Sequence, residues 1–152
     1  MKNTTQVSTL QASALQALPD FRIDHTMLRV SDLDRSLDFY VRILGMKILR
    51  QTEYPEGKFT NTFIGYQGED EGTTIELTYN WEQAEPYERG NAWGHIALKV
   101  SDVYAASEYL KSQGVEFTKQ PSPMKNGSRI LAFIKDPDGY SIELNEPLSK
   151  DR

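Results

Sequence analysis

The chain has 152 residues, a net charge of −5 and no cysteine. An acidic balance gives no general attraction to nucleic acid or to an anionic membrane surface, so neither is an expected partner, and an anionic ligand must be held by a local group of Arg or Lys. The absence of cysteine excludes disulfides, thiolate metal sites and thiol catalysis.

Residues 1–20 lack both a basic start and a continuous apolar stretch, so no secretory signal is expected. They read as an extension, either a flexible tail or one holding a short helix around Leu10–Leu18. No apolar run approaches the roughly 20 residues of a membrane span, and a cytoplasmic location is expected.

From Arg22 the pattern becomes regular. Arg22–Val30 alternates as a strand, with His25, Met27 and Arg29 on one face and Thr26, Leu28 and Val30 on the other. Ser31 or Asp32 then caps a helix in which Leu33, Leu37, Tyr40, Val41 and Leu44 recur at helical spacing, and Gly45 ends it. Three strand candidates follow: Lys47–Gln51, Phe59–Tyr66 and Thr73–Asn80. After a polar link, Trp81–Ala92, the same βαβββ order begins again. Gly94–Val100 is the next strand, Asp102 caps a helix through Val103, Ala106, Tyr109 and Leu110, and Gly114 ends that helix. Val115–Gln120, Arg129–Lys135 and Tyr140–Asn145 complete the series, the last two joined by the strong turn sequence Asp136-Pro137-Asp138-Gly139.

The chain is therefore a duplication. His25 and His95, its only histidines, lie 70 residues apart in the phrases His25–Asp32 and His95–Asp102. Thr74-Ile75-Glu76-Leu77 is answered by Ser141-Ile142-Glu143-Leu144. Each half thus carries one His on its first strand and one Glu on its last.

A single His or Glu on a strand is usually a satisfied or solvated side chain. Two of each at matched positions, on the faces opposite the core, are costly to bury unpaired, and a metal ion offsets that cost. Two imidazole nitrogens with two carboxylates suit Ni, Co, Mn, Fe or Zn and leave room on the ion for substrate. Arg29 shares the face of His25, and Asn80 that of Glu76, as expected around a carboxylate or peptide-like ligand. Pro121–Gly127 is a Pro/Gly loop with Lys125 at its tip, either a ligand-closing loop or a polar turn.

These phrases, together with Phe39-Tyr40, Leu44-Gly45-Met46, Ile75–Trp81 and Asp136–Leu144, resemble the glyoxalase I (lactoylglutathione lyase) family of the vicinal oxygen chelate superfamily over about residues 21–147. The resemblance implies an α+β fold of two βαβββ modules, residues 22–80 and 93–146, flanked by the extension 1–20 and a tail 148–152. It implies cup-shaped sheets completed in a homodimer, with His25 and Glu76 of one chain meeting His95 and Glu143 of the other around one divalent metal per site. Ni2+ or Co2+ is favoured, with Zn2+ as the alternative. The implied substrate is the hemithioacetal of methylglyoxal and glutathione, glutathione being the co-substrate. Glu143 is implied as the catalytic base with Glu76 opposite, although the near-symmetry of the sequence leaves their roles undecided. Arg29, Asn80, Lys125 and Arg89 are implied as glutathione contacts. Two other readings use the same fold: an Fe(II) extradiol dioxygenase with two His and one carboxylate, and a metal-free small-molecule binding or resistance protein.

Overall fold

The computed structural model describes residues 19–147; the short helix expected around Leu10–Leu18 and the tail 148–152 lie outside them. The first repeat contains β1 (His25–Val30), α1 (Leu33–Leu37), a π-helical segment Asp38–Ile43, β2 (Lys47–Tyr54), β3 (Phe59–Gly65) and β4 (Thr74–Asn80). The second contains β5 (Ile96–Lys99), α2 (Val103–Ser112), β6 (Phe117–Pro123), β7 (Arg129–Lys135) and β8 (Ser141–Pro147). Each repeat makes one four-stranded mixed sheet, in the orders β1-β4-β3-β2 and β5-β8-β7-β6. In both, the first strand lies parallel to the last and the others run antiparallel. A parallel neighbour needs a long crossover, and here the helix and the two intervening strands supply it.

The helix starts follow from their caps. Asp32 accepts from the Arg35 amide and Asp102 from the Ala105 amide, both at 2.9 Å. At the far ends Gly45 and Gly114 take φ of 74° and 76°, a left-handed conformation that costs glycine nothing.

The first helix departs from expectation. The apolar spacing predicts one regular helix, but after Leu37 the chain widens, and the amide of Leu44 reaches back five residues to the carbonyl of Phe39 at 3.0 Å. This added width lets two consecutive aromatics, Phe39 and Tyr40, both turn inward, with rings 5.0 Å apart and perpendicular. Several strand limits also shift. β1 starts at His25 rather than Arg22, and β5 starts at Ile96, so His95 stands just before its strand. β6 runs through Pro121 and Pro123, which an edge strand tolerates because no outer neighbour needs their missing N–H groups.

One hydrophobic core serves both repeats. Leu28, Val30, Ile64, Ile75 and Leu77 of the first sheet join Ile130, Ala132, Ile134, Ile142 and Leu144 of the second, with Tyr40, Ile43, Val103 and Leu110 from the helices. Strand alternation therefore puts His25, Glu76 and Glu143 on the sheet faces turned away from this core. No helix among the described residues is long and apolar enough to cross a membrane.

Candidate functional site

The parallel pairing of β1 with β4 sets Met27 opposite Glu76, which brings the carboxylate beside the imidazole one pleat earlier. His25 Nε2 lies 2.8 Å from Glu76 Oε2. The second repeat does the same, with His95 Nε2 3.1 Å from Glu143 Oε2. The Glu side chains are only 12% and 11% exposed against 34% and 42% for the His side chains, so each pair presents a deep carboxylate beneath a more open imidazole.

Both pairs rest on the same column of side chains. Phe63, opposite Glu76 across the sheet, meets His25 edge-on with centroids 5.3 Å apart. Phe133, opposite Glu143, meets His95 at the same 5.3 Å. A cation stands over each phenyl ring: Arg50 at 4.1 Å and Lys119 at 5.9 Å from the centroid. Both cations follow a register shift in the edge strand, after Ile48 in β2 and after Phe117 in β6, and a bulge of this kind re-aims a side chain. Each carboxylate also accepts an amide hydrogen bond on its other oxygen. Asn61 Nδ2 donates to Glu76 Oε1, and Asn145 Nδ2 to Glu143 Oε1.

None of these supporting residues was apparent from strand alternation alone. Phe63 and Phe133 stand 70 residues apart, the same offset as the histidines, and following that offset along the strands identifies them. The asparagines follow no such offset, because one lies on β3 and the other on β8.

Two pairs form, but the four donors do not meet within one chain: among the described residues there is no cluster of three or more His, Asp or Glu able to hold a metal. Each pair nonetheless fits one side of an ion. Nitrogen and oxygen ligands at about 2.1 Å from a metal and at right angles to each other stand roughly 3.0 Å apart, and the observed separations of 2.8 and 3.1 Å bracket that value.

The other expected residues divide. Arg29 and Arg89 line one cleft of about 210 Å³ with Met27, Glu88, Trp93 and Tyr140. Arg89 also donates to the Asp138 carbonyl, and its guanidinium lies 5.9 Å from the Tyr140 ring centre. Burial and the neighbouring Asp136 charge raise the pKa of the Tyr140 phenol, which keeps its proton and donates to the Arg29 carbonyl at 2.9 Å. Asn80 Nδ2 donates to the Tyr87 phenol at 2.8 Å. Lys125 is exposed on the β6–β7 loop.

A family model described as the Glyoxalase/Bleomycin resistance protein/Dioxygenase superfamily matches residues 22–144. Over 130 residues the chain is 52% identical to a protein of Neisseria meningitidis serogroup A named lactoylglutathione lyase, covering 86% of this chain and 94% of that one. It is similar to the crystal structure of glyoxalase I from Zea mays, with TM-score 0.77 and 42% identity, covering 84% of this chain and 47% of the maize chain. It thus spans about half the length of the maize protein. The trypanothione-dependent glyoxalase I of Leishmania major matches with TM-score 0.74 and 42% identity over 84% of this chain and 87% of that one. With its duplicated sheets and matched His–Glu pairs, the chain belongs to the glyoxalase/bleomycin resistance protein/dioxygenase superfamily, within its glyoxalase I branch.

Proposed function

We propose that this chain is a metal-dependent lactoylglutathione lyase, acting as a homodimer in which the His25–Glu76 pair of one chain faces the His95–Glu143 pair of the other. The duplicated pair carries this reading: each half holds one imidazole and one carboxylate at ligand spacing, on a face that the chain's own core does not use. Identity of about half to the Neisseria enzyme supports the reaction. A dioxygenase or a metal-free binding protein would leave one or more of the four donors without a task.

A divalent ion bound by these residues would supply Lewis-acid stabilisation of the charge that develops on the two neighbouring substrate oxygens. Nickel or cobalt is the expected ion, with zinc as the alternative. The protein's own part is proton transfer and positioning. The C–H of the hemithioacetal, between sulfur, hydroxyl and carbonyl, is a weak acid. Glu143 takes that proton as carboxylate and returns it to the adjacent carbon, while Glu76 stands on the opposite side. The hydroxyl proton passes between the two oxygens, so the product is the lactoyl thioester S-D-lactoylglutathione with no net redox change. Arg29 and Arg89 bind a carboxylate of the thiol, and Asn80 and Lys125 contribute further polar contacts.

The deciding experiment strips the protein with chelator and assays methylglyoxal with glutathione across Ni, Co, Mn, Fe and Zn, following thioester absorbance. Restored turnover with nickel or cobalt is expected. Failure of every metal would overturn the proposal. A parallel series with trypanothione identifies the thiol.

A further inference from the structure

Each glutamate of the two pairs divides its oxygens between two tasks. Oε2 faces the imidazole, while Oε1 accepts from an asparagine amide. The asparagine is held in turn from behind: Thr78 Oγ donates to Asn61 Oδ1 at 3.1 Å, and Arg129 Nη1 donates to Asn145 Oδ1 at 2.6 Å. In the second repeat the chemistry fixes the direction of the whole chain. A guanidinium only donates and a carboxylate only accepts, so the residue between them must accept at one end and donate at the other. A primary amide does so with no rearrangement.

The two braces are built differently. Asn61 reaches Glu76 from the neighbouring strand and pairs across the sheet with Thr78. In the second repeat the corresponding cross-strand pair is Leu131 and Asn145, so the amide has moved onto the glutamate's own strand and the neighbour has become apolar. Both repeats thus reach one outcome, an amide on Oε1, by separate routes.

We propose that Asn61 and Asn145 are positioning residues that hold each glutamate with a single oxygen free, so that it offers a metal one ligand atom and not two. Four single-atom donors of this kind would leave coordination positions free on a bound divalent ion for substrate oxygens. A carboxylate free to turn would close them. The inference rests on the reading of the two His–Glu pairs as metal ligands. Groups that orient ligands in this way affect metal affinity by about 10- to 100-fold when removed.

The test measures Co(II) binding to the full chain by competition with a chromophoric chelator, together with the visible spectrum of the bound ion. His25→Ala, Asn61→Leu, Asn145→Leu and Arg129→Met are compared with wild type, and circular dichroism checks the fold of each. Asn61→Leu and Asn145→Leu are expected to weaken Co(II) by 10-fold or more and to alter its spectrum. Arg129→Met, which leaves Asn145 in place, should show a smaller loss in the same direction. Leu131→Asn combined with Asn145→Thr rebuilds the first repeat's arrangement in the second and should restore affinity; a merely structural role for Asn145 would give no such rescue. Wild-type affinity and spectrum in both asparagine variants, with binding abolished in His25→Ala, overturn the brace alone. No Co(II) binding by wild type, or none lost in His25→Ala, overturns the metal-site reading beneath it.

Discussion

The phenol of Tyr40, in the first repeat, donates to Asp136 Oδ2 in the second at 2.7 Å, with both residues buried. The same carboxylate receives the amides of Asp138 at 3.0 Å and Tyr140 at 2.8 Å through Oδ1. Asp138, two residues on, accepts from the Ser31 amide at 3.1 Å at the corner where β1 enters α1. The Asp-Pro-Asp-Gly turn thus has a second function beyond reversing the chain. It locks the repeats together beside the Arg29–Arg89 cleft.

Burial raises the Asp136 pKa above the ordinary 3.8, although its hydrogen bonds oppose the shift. Between 3.8 and that raised value the folded protein holds more protons than the unfolded chain. The Asp136 contribution to stability therefore falls as pH rises through this window, and above it a buried charge remains as a standing cost. Asp136→Asn removes the dependence and keeps an acceptor for the two amides. In urea unfolding from pH ~4 to ~7, the variant is expected to gain on wild type as pH rises. A difference that narrows with pH would contradict this.

The glutamates give the next prediction. Gln in place of Glu143 can still accept from Asn145, so the fold should persist, but an amide cannot take a proton from carbon. Glu143→Gln is expected to lower kcat by at least about 100-fold, within the range that general acid–base catalysis supplies. Glu76→Gln, measured beside it with the same assay and with metal content determined, separates the two roles that the sequence symmetry leaves undecided. Undiminished turnover in Glu143→Gln would remove it from the proton transfer.

Much of this site was legible because it follows from local rules. Alternation placed His25 with Arg29 on one face of β1 and Glu76 with Asn80 on one face of β4, the 70-residue offset paired the repeats, and Asp32 and Asp102 identified their helix starts. What escaped depends on cross-strand register. Phe63 and Phe133 lie beside the glutamates only because β3 and β7 pair with the last strands in that alignment, and Asn61 reaches Glu76 for the same reason. The π-helical segment was hidden because burying Phe39 and Tyr40 together is a demand of the shared core, which the apolar spacing of the helix does not carry.

Arg29 and Arg89 should act on binding more than on turnover. They line one cleft together with Met27, the strand partner of Glu76, and a charge-assisted bond to a carboxylate is worth about 1.5–3 kcal/mol, or roughly 10- to 100-fold. Arg29→Ala is expected to raise KM for the thiol adduct by about 10-fold with kcat little changed. Arg89→Ala should do the same and also lower the melting temperature slightly, because Arg89 bonds the Asp138 carbonyl. A fall in kcat at constant KM would place either residue elsewhere in the mechanism.

The proposed sharing of sites between the two chains of a homodimer makes the sharpest prediction. In a two-fold dimer each site draws one pair from each chain, so His25→Ala and His95→Ala should each inactivate both sites of their own homodimer. When the two variants are unfolded and refolded together, about half the dimers are mixed. In a mixed dimer both lesions fall in the same site, and the other site combines the intact His25–Glu76 pair of one chain with the intact His95–Glu143 pair of its partner. Half the dimers with one working site of two gives about a quarter of wild-type activity from two inactive parents. Sites confined to single chains would give no recovery at all, because every chain in the mixture carries a lesion. The recovered activity, followed by thioester absorbance against the mixing ratio, should peak at equal amounts of the two variants.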